Sequence, residues 1–347
     1  MSTLGAEHLA DTIREQTPAV AVSVTDTFLE RHPDWRRRYG PRAVTAGVQD
    51  AGYHLSFLAA AVEGGEPAAF AAYSGWAARV LATRGIAATF LAENIAQVRD
   101  AIAARLTPEQ STALAPYFEA ALSALSAEPA FPPAASLSVT ADVFLQAIVS
   151  GQRHAAVRIA REALRNGVTV PELYADVFQP VLYEVGSRWE SNKLTVAQEH
   201  MATAITQYVM AQIYEPPEEA GEGKGRIILT GVEGELHNIG AVMVGDLLEL
   251  SGWRVRFLGT NLPAASILSA IRDTLPTHVG ISATMLFNVA AVRQLIGAIR
   301  DEFQDRIRIL VGGAAFRTAP GLWRQIAADG YAPDLRSARS VFDAGRG

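Results

Sequence analysis

The strongest candidate for chemistry is a histidine on a glycine-rich turn, with an acid two residues before it and a glycine three residues after it. The turn runs from Gly231 to Gly240 with the sequence GVEGELHNIG. A carboxylate that accepts the hydrogen of one imidazole nitrogen leaves the other nitrogen free to bind a metal. We therefore take His237 as the candidate metal ligand and Glu235 as the residue that orients it.

The segments around this turn predict a strand before it and a helix after it. Residues 226–230 form an apolar run with strand character, and residues 241–250 have the spacing of an amphipathic helix. In an open α/β sheet such a turn lies at the carboxyl end of its strand, where ligands bind. Two further predicted strands are each followed by a short motif: Ser282-Ala-Thr284 after 278–282, and Gly312-Gly313 after 307–311.

Together the three motifs resemble the cobalamin-binding domain. Its signature is Asp-x-His-x-x-Gly, then Ser-x-Leu or Ser-x-Thr, then Gly-Gly; here 41 residues separate the first two motifs and 27 residues the last two. The resemblance covers about residues 226–347 and implies a flavodoxin-like (Rossmann-type) parallel sheet. It also implies that His237 replaces the cofactor's own base beneath cobalt. The departure is Glu235 in place of aspartate, which is one methylene longer and still an acceptor.

In the family the nucleotide tail of cobalamin is buried between the sheet and its helices, and small residues line that channel. The resemblance assigns this role to Gly240, Ser282, Thr284, Gly312 and Gly313. The hydroxyls of Ser282 and Thr284 are expected to bond the tail or the Glu235 carboxylate. The alternative is a flavodoxin-like domain whose crevice takes no such cofactor.

Composition narrows the class of protein. The 347 residues are 49% hydrophobic, enough for two or three packed domains, and no apolar run approaches the length of a membrane span. There is no cysteine, which excludes disulfides, thiolate metal sites and a thioether-linked chromophore and fits a cytoplasmic protein. A formal net charge of -6 gives no general attraction to nucleic acid.

Residues 1–126 have the pattern of a compact all-α domain of five or six helices. Apolar positions recur at helical spacing in five segments: 19–29, 43–62, 67–81, 86–106 and 108–125. Turns are expected at His32-Pro33, at Gly40-Pro41, at residues 64–67 and at Gly85. The Pro- and Ala-rich stretch 127–137 is interpreted as a linker.

This domain contains a group of arginines, aromatic residues and titratable residues. Its members are Arg36, Arg37, Arg38 and Arg42 around Trp35 and Tyr39, then Asp50, Tyr53 and His54 on one predicted helix face, and Tyr73 and Trp76 on the next. Arginines beside an aromatic pocket suit a planar ligand with carboxylate arms, such as a tetrapyrrole. The alternative is a solvated charge run with ordinary core aromatics.

Residues 138–215 predict a second helical unit, with helices at about 140–164, 169–189 and 196–213. The last is opened by Thr195-Val-Ala-Gln198, which has the form of a capping box. A short turn places Trp189 near Glu199 and His200, at the first turn of the last helix. An indole beside a carboxylate, an imidazole and a helix N-terminus can cap a flat ligand. An acidic Pro/Gly-rich linker follows at 216–225.

The spacing Trp189, nine residues, Glu199-His200 resembles the Trp-x9-Glu-His motif of CarH-type adenosylcobalamin photoreceptors. There a four-helix bundle covers the upper face of the corrin, which implies that these three residues face the adenosyl group. Two departures matter. Residues 1–124 show no sign of the winged-helix DNA-binding domain of those repressors, and Glu190 stands where they have the histidine that binds cobalt after illumination. His200 is the alternative upper ligand in this chain.

An N-terminal helical domain joined to this module resembles the photocobilins, which pair cobalamin with a bilin in a globin-like or phycobiliprotein-like domain. The resemblance implies a noncovalent bilin, such as biliverdin. Arg36 and Arg38 are then assigned to the propionates, Asp50 or His54 to the pyrrole N–H groups, and Tyr53, Tyr73 and Trp76 to packing. The expected function is that of a signalling photoreceptor, not an enzyme, with light-dependent contacts in a homo-oligomer or with a downstream protein.

Two other functions fit part of the sequence. A corrinoid methyl carrier serving a separate methyltransferase would also place a helical cap before a cobalamin domain, although the Trp/Glu-His motif argues against it. Alternatively, the cobalamin half is a photosensor and the N-terminal domain is a haem globin, with His54 as axial ligand, or an empty globin.

Overall fold

The computed structural model describes residues 3–127, 136–217, 223–319 and 321–344. Most of the predicted linker 127–137 and the middle of the linker 216–225 therefore lie outside the described residues. The chain divides into two compact units. One comprises Met1–Phe131 with Thr318–Gln325, and the other comprises Pro132–Arg317 with Ile326–Gly347.

The first unit is all-α over residues 3–127. Its helices are α1 Thr3–Arg31, α2 Pro33–Tyr39, α3 Arg42–Glu63, α4 Pro67–Ala82, α5 Ala88–Ala103 and α6 Pro108–Ser126. Helix α1 packs mainly on α3, and α4 packs mainly on α6. The helix predicted over 19–29 omitted the first part of α1, where the apolar spacing is weak. A turn was predicted at the start of α2 because Pro33 follows His32. Proline at the first helical position instead starts a helix readily.

Four helical segments open the second unit, and they correct the prediction of one helix over 140–164. They are α7 Val139–Val149, α8 Arg153–Arg165, a longer segment over 170–190 and the final helix Val196–Ile213. Gly151 separates the first two with φ of 72°, a left-handed conformation that ends α7 and is easily reached only by glycine. The four-helix cap implied by the resemblance is therefore present.

The third segment of this cap is one continuous helix with a π turn inside it. It consists of α9 Val170–Leu173, the π turn Tyr174–Phe178 and α10 Gln179–Glu190. Pro180 has no N–H and cannot continue the regular bonding ladder, which is a physical reason for the irregular turn just before it. Helix α11, Val196–Ile213, begins at the predicted capping box, with Gln198 N–H donating to the Thr195 hydroxyl at 3.2 Å.

The remainder of the second unit is a five-stranded parallel sheet. Its strands are β1 Arg226–Gly231, β2 Arg254–Phe257, β3 His278–Ser282, β4 Arg308–Gly312 and β5 Gly330–Ala332, in the order β2-β1-β3-β4-β5. This is the flavodoxin-like order, so the predicted Rossmann-like sheet is confirmed. The main flanking helices are α12 Ile239–Leu250, α13 Ala264–Thr274, α14 Val289–Phe303, α15 Ala314–Thr318 and α17 Leu335–Asp343.

Helix α16, Leu322–Gln325, belongs to the first unit although it lies between two strands in sequence. The Gln325 side-chain amide donates to the Gly64 carbonyl at 2.8 Å, and Leu322 lies against Gly64. Among the described helices, none combines the length and the apolar character that crossing a membrane requires.

Candidate functional site

The loop after β1 fixes the orientation of the candidate metal ligand. Nδ1 of His237 lies 2.7 Å from Glu235 Oε1, and the His237 backbone N–H donates to the same oxygen at 2.9 Å. An ionised carboxylate only accepts hydrogen bonds, so Nδ1 carries the hydrogen and Nε2 is the free nitrogen. The Glu235 carboxylate is fully buried, whereas the His237 side chain is 56% exposed. The pair therefore presents Nε2 to a ligand from a rigid base.

Glu235 is held on its other oxygen by the segment after β3. Its Oε2 accepts the backbone N–H of Thr284 at 2.6 Å and the side-chain amide of Asn288 at 3.1 Å. The expected hydroxyl contact to Glu235 is thus replaced by a backbone N–H, which a carboxylate one methylene longer than aspartate can reach. Burial alone raises the pKa of Glu235, but the hydrogen bonds from His237 and Thr284 outweigh it and lower that pKa.

His237 is electrostatically linked to the helical cap. The hydrogen bond to Glu235 raises the pKa of His237; burial opposes this rise, while the charges of Glu235 and Glu199 add to it. Glu199 belongs to the first turn of α11. The structure therefore brings one member of the predicted upper-face motif within electrostatic reach of the predicted lower ligand.

A cavity of about 300 Å³ extends from His237 along the carboxyl ends of β1, β3 and β4. Its walls include all the residues that the sequence assigned to the nucleotide tail: Gly240, Ser282, Thr284, Gly312 and Gly313. Most of the other lining side chains are apolar, from the sheet, α12 and α17. One described cavity thus unites three motifs that are distant in sequence.

The glycines of this cavity have different roles. Gly313 has φ of 105°, and a Cβ there would lie 2.2 Å from the Ala283 carbonyl oxygen, so only glycine fits. A Cβ on Gly240 would meet no protein atom within 4 Å. Gly313 therefore allows β4 and the β3 loop to approach each other, whereas Gly240 leaves open space beside His237.

The predicted upper-face residues lie on two consecutive cap helices. Trp189 is near the end of α10, and Glu199 and His200 lie in the first turns of α11. Nδ1 of His200 lies 2.6 Å from Glu199 Oε2, and Glu199 Oε1 accepts a bond from the Thr203 hydroxyl at 3.3 Å. The His200 side chain is 74% exposed and has Nε2 available.

Comparison with known proteins identifies both parts of this second unit. Residues 225–339 match the B12 binding domain family, and residues 140–214 match a second B12 binding domain family. The dimethylamine corrinoid protein of Methanosarcina barkeri is 32% identical over 159 residues, covering 45% of this chain and 73% of that protein. The chain belongs to the B12-binding corrinoid proteins.

Two further relatives bear on this B12-binding protein. The HTH-type transcriptional repressor CarH of Myxococcus xanthus is 30% identical over 155 residues, covering 44% of this chain and 51% of the repressor. The structure of the monomethylamine corrinoid protein of M. barkeri matches 58% of this chain and 95% of that chain with a TM-score of 0.50. At 21% identity this structural likeness supports the shared fold alone.

The described residues fit a B12 cofactor bound in the manner of this family. Nε2 of His237 is free, the adjoining cavity is mainly apolar, and Gly240 leaves space where a side chain would otherwise stand. His237 would hold the cobalt and the cavity would hold the tail. When bound, the cofactor would supply a cobalt centre.

Contacts between the cap and α12 were not predicted. The Tyr174 hydroxyl donates to Asp246 at 2.7 Å, the Tyr214 hydroxyl donates to Glu249 at 2.5 Å, and Gln207 donates to Asn238 beside His237. Burial raises the pKa of Asp246 to about 6, and the bond from Tyr174 opposes that rise. In the sequence, the sign of these contacts is a pair of carboxylates three residues apart on α12, Asp246 and Glu249. Their tyrosine partners could not be predicted, because they lie 72 and 35 residues away.

In the first unit, the structure brings together part of the residue group assigned to a bilin. Nδ1 of His54 lies 2.7 Å from the Tyr73 hydroxyl, the Tyr73 ring stacks on Phe57 at 3.8 Å, and Trp76 lies 6.1 Å from Tyr73. Burial lowers the pKa of His54 to about 4, and burial together with the charges of Asp50 and Tyr53 raises the pKa of Tyr73. His54 and Tyr73 are buried, whereas Tyr53 is exposed.

The arginines of this group are on the surface and have local partners. Arg36 lies 3.8 Å from Asp26, Arg37 pairs with Asp34, and the Arg38 guanidinium lies 5.3 Å from the centre of the Tyr39 ring. Trp35 packs edge-on against Phe28 and Phe90, in an aromatic cluster of its own. The arginines therefore belong to an exposed face, and their role toward a ligand remains a prediction.

Proposed function

We propose that this protein is a photoreceptor that binds adenosylcobalamin in its second unit and a noncovalent bilin, such as biliverdin, in its first. The observation that carries the proposal is the position of Glu199. Its Oε2 lies 2.6 Å from Nδ1 of His200 on the first turns of α11, in the same unit as the Glu235–His237 pair of the β1 loop. Residues for both faces of a corrin are therefore available in one unit.

Each cap residue has a role in this proposal. Adenosylcobalamin supplies a cobalt–carbon bond that visible light breaks. Trp189 would fill the space beside the adenosyl group, and Glu199 and His200 would contact that group. Without these contacts the cap would be free to shift relative to the sheet. His200 is the proposed cobalt ligand after illumination, because its Nε2 is available and Glu190 stands where the resembled photoreceptors have a histidine.

The first unit supports a bilin through its buried polar pair. His54 and Tyr73 lie on adjacent helices beside stacked aromatic rings, and Asp50 acts electrostatically on Tyr73. Such a group can bind pyrrole N–H donors and a flat conjugated ring system. Because the chain contains no cysteine, the attachment is noncovalent. Arg36 and Arg38 remain the proposed partners of the propionates.

The proposed output is a change of protein contacts. The cap is held on α12 by Tyr174–Asp246 and Tyr214–Glu249, and a shift of the cap would change these bonds. A homo-oligomer or a downstream protein then detects the new surface.

A second candidate function is a corrinoid methyl carrier. It is favoured by the 32% identity to a dimethylamine corrinoid protein, a match that covers 73% of that protein. A carrier would accept a methyl group on cobalt from a separate methyltransferase. It would need neither Trp189 beside the cobalt nor a ligand in the first unit.

Reconstitution in the dark distinguishes the photoreceptor from the methyl carrier. The protein is loaded with adenosylcobalamin, methylcobalamin or biliverdin, singly and in pairs, and absorption spectra are recorded before and after green and red light. Preference for the adenosyl form, a light-induced spectral change and a red bilin band that alters the response support the photoreceptor. Equal binding of the methyl form without bilin uptake supports the carrier. A Soret band after incubation with haem would instead make the first unit a haem globin.

A further inference from the structure

The cavity next to His237 is lined by one exposed arginine. Arg317 follows Gly312 and Gly313 on α15, lines the cavity and is solvent-exposed. Its guanidinium donates to the Tyr183 hydroxyl and lies 4.8 Å from the centre of the Tyr183 ring. Tyr183 belongs to α10 of the cap and lines the same cavity.

The charge balance of the cavity makes this arginine unusual. Of the side chains that line the cavity in the described part of the chain, Arg317 is the one with a permanent positive charge. The lining carboxylate is Asp334, whose oxygen accepts the Ser337 backbone N–H at 2.8 Å as the N-cap of α17. Arg317 therefore faces a mainly apolar space with a tyrosine, not a carboxylate, as its described partner.

A cobalamin tail brings one negative charge into this cavity. The tail joins the corrin to its base through a ribose and a phosphodiester, and placing that anion beside apolar walls is costly unless a cation compensates it. A guanidinium presents paired N–H donors that match two phosphate oxygens. We propose that Arg317 binds the phosphodiester of the tail and thereby selects complete cobalamin over corrinoids without a nucleotide.

Tyr183 positions Arg317 for this role. Its ring supports the guanidinium from one side, and its hydroxyl accepts one N–H, so the remaining donors are available to the phosphate. Gln179, one helical turn earlier, donates to the same hydroxyl at 3.2 Å and fixes its place. The arginine of α15 and the tyrosine of the cap thus form a pair of contacting side chains on the cavity wall.

This inference rests on cobalamin binding, not on the light response, so the test is made in the dark by titration. Wild type and Arg317→Met are titrated with adenosylcobalamin and with adenosylcobinamide, which lacks the phosphate, ribose and base. We expect Arg317→Met to weaken cobalamin binding by about 10- to 100-fold, the effect of losing a charge-assisted bond. Cobinamide affinity should stay within about twofold of wild type, because that ligand has no phosphodiester.

Two further variants make the test specific. Tyr183→Phe keeps the ring but removes the hydroxyl, and we expect a smaller loss, confined to cobalamin. Arg272→Met is the matched control, because Arg272 pairs with Glu302 outside the cavity lining. It should bind both ligands like wild type. Cobalamin affinity should also depend less on salt in Arg317→Met than in wild type.

Three results would overturn the role of Arg317. One is unchanged cobalamin affinity in Arg317→Met, and another is an equal loss for both ligands, which would indicate a structural role. The third is an unchanged salt dependence. If wild type bound neither ligand, the cobalamin function itself would fail, which is a distinct result.

Discussion

Nδ1 of His237 donates to the buried carboxylate of Glu235 across 2.7 Å, and this bond decides which imidazole nitrogen can reach a ligand. The same carboxylate accepts bonds from the backbone of His237, the backbone of Thr284 and the side chain of Asn288. Two loops of the sheet therefore converge on one carboxylate. The imidazole is preorganised before any cofactor arrives, so little ordering remains to be done on binding.

Replacing Glu235 with glutamine should weaken cobalamin binding by about 10- to 100-fold, the usual effect of removing a partner that orients a metal ligand. The amide loses the negative charge and places a donor against the donors of His237, Thr284 or Asn288. Titration with hydroxocobalamin, followed by absorption spectroscopy, measures the change. Glu233→Gln, an exposed change on the same loop, is the control and should bind normally. Equal affinity in the two variants would contradict the role of Glu235.

Gly313→Ala should reduce the stability of the fold, whereas Gly240→Ala should reduce only the space for the cofactor. At Gly313 the new Cβ would clash with the Ala283 carbonyl and φ is unfavourable, so we expect the second unit to lose on the order of 3 kcal/mol of unfolding free energy. At Gly240 the Cβ meets no protein atom, and alanine favours the helix by up to about 1 kcal/mol. Chemical unfolding measures the stability of both variants.

The Gly240→Ala protein should therefore fold normally but bind cobalamin more weakly, because its Cβ occupies a position on the cavity wall. Binding titrations on the folded variant test this directly. Wild-type affinity in Gly240→Ala would mean that the tail does not pass this residue.

The sheet and the loop motifs could be predicted because both depend on local sequence. Apolar runs determine β1, β3 and β4, and the spacing around His237, Ser282 and Gly312 is typical of one family. The break between α7 and α8 was missed because helical periodicity continues across Gly151, and only the positive φ of that glycine shows the end of the helix.

Contacts between residues that are distant in sequence could not be predicted. Asn288 and Arg317 carry no motif, and their importance comes from the position of their side chains in the folded chain. Asn288 becomes relevant because it reaches a carboxylate 53 residues earlier, and Arg317 because it meets a tyrosine 134 residues earlier. Residues 36–38 illustrate the opposite case, in which a conspicuous charge run has local surface partners.

His54 should make the first unit sensitive to acid. Burial lowers its pKa to about 4 from 6.5, so the unfolded chain binds the proton more tightly than the folded one. The free energy of unfolding therefore has its full value, as far as His54 is concerned, above pH 6.5. It decreases as the pH falls from 6.5 to 4, by about 3 kcal/mol in total. His54→Gln lacks this titration and should keep a bond to Tyr73.

Hydrogen exchange of amides in α3 and α4 measures this effect in the full chain. Desolvation raises the pKa of Asp50 to about 6, and its titration acts in the opposite sense. The informative quantity is therefore the difference between wild type and His54→Gln at each pH. The stability advantage of wild type should shrink, and then reverse, as pH falls through this window. A difference that does not change with pH would show that His54 does not titrate with a lowered pKa.

Replacing Trp189 with alanine should uncouple the light reaction from the movement of the cap. The alanine leaves empty space beside the proposed adenosyl group. Loss of the adenosyl group would therefore change fewer contacts with α10. We expect the absorption change on illumination to persist, while the light-induced change in size, measured by small-angle X-ray scattering, becomes smaller. Trp189→Phe keeps an aromatic ring and should retain part of the structural response. A full structural response in Trp189→Ala would remove Trp189 from the mechanism and leave Glu199 and His200 as the link between cofactor and cap.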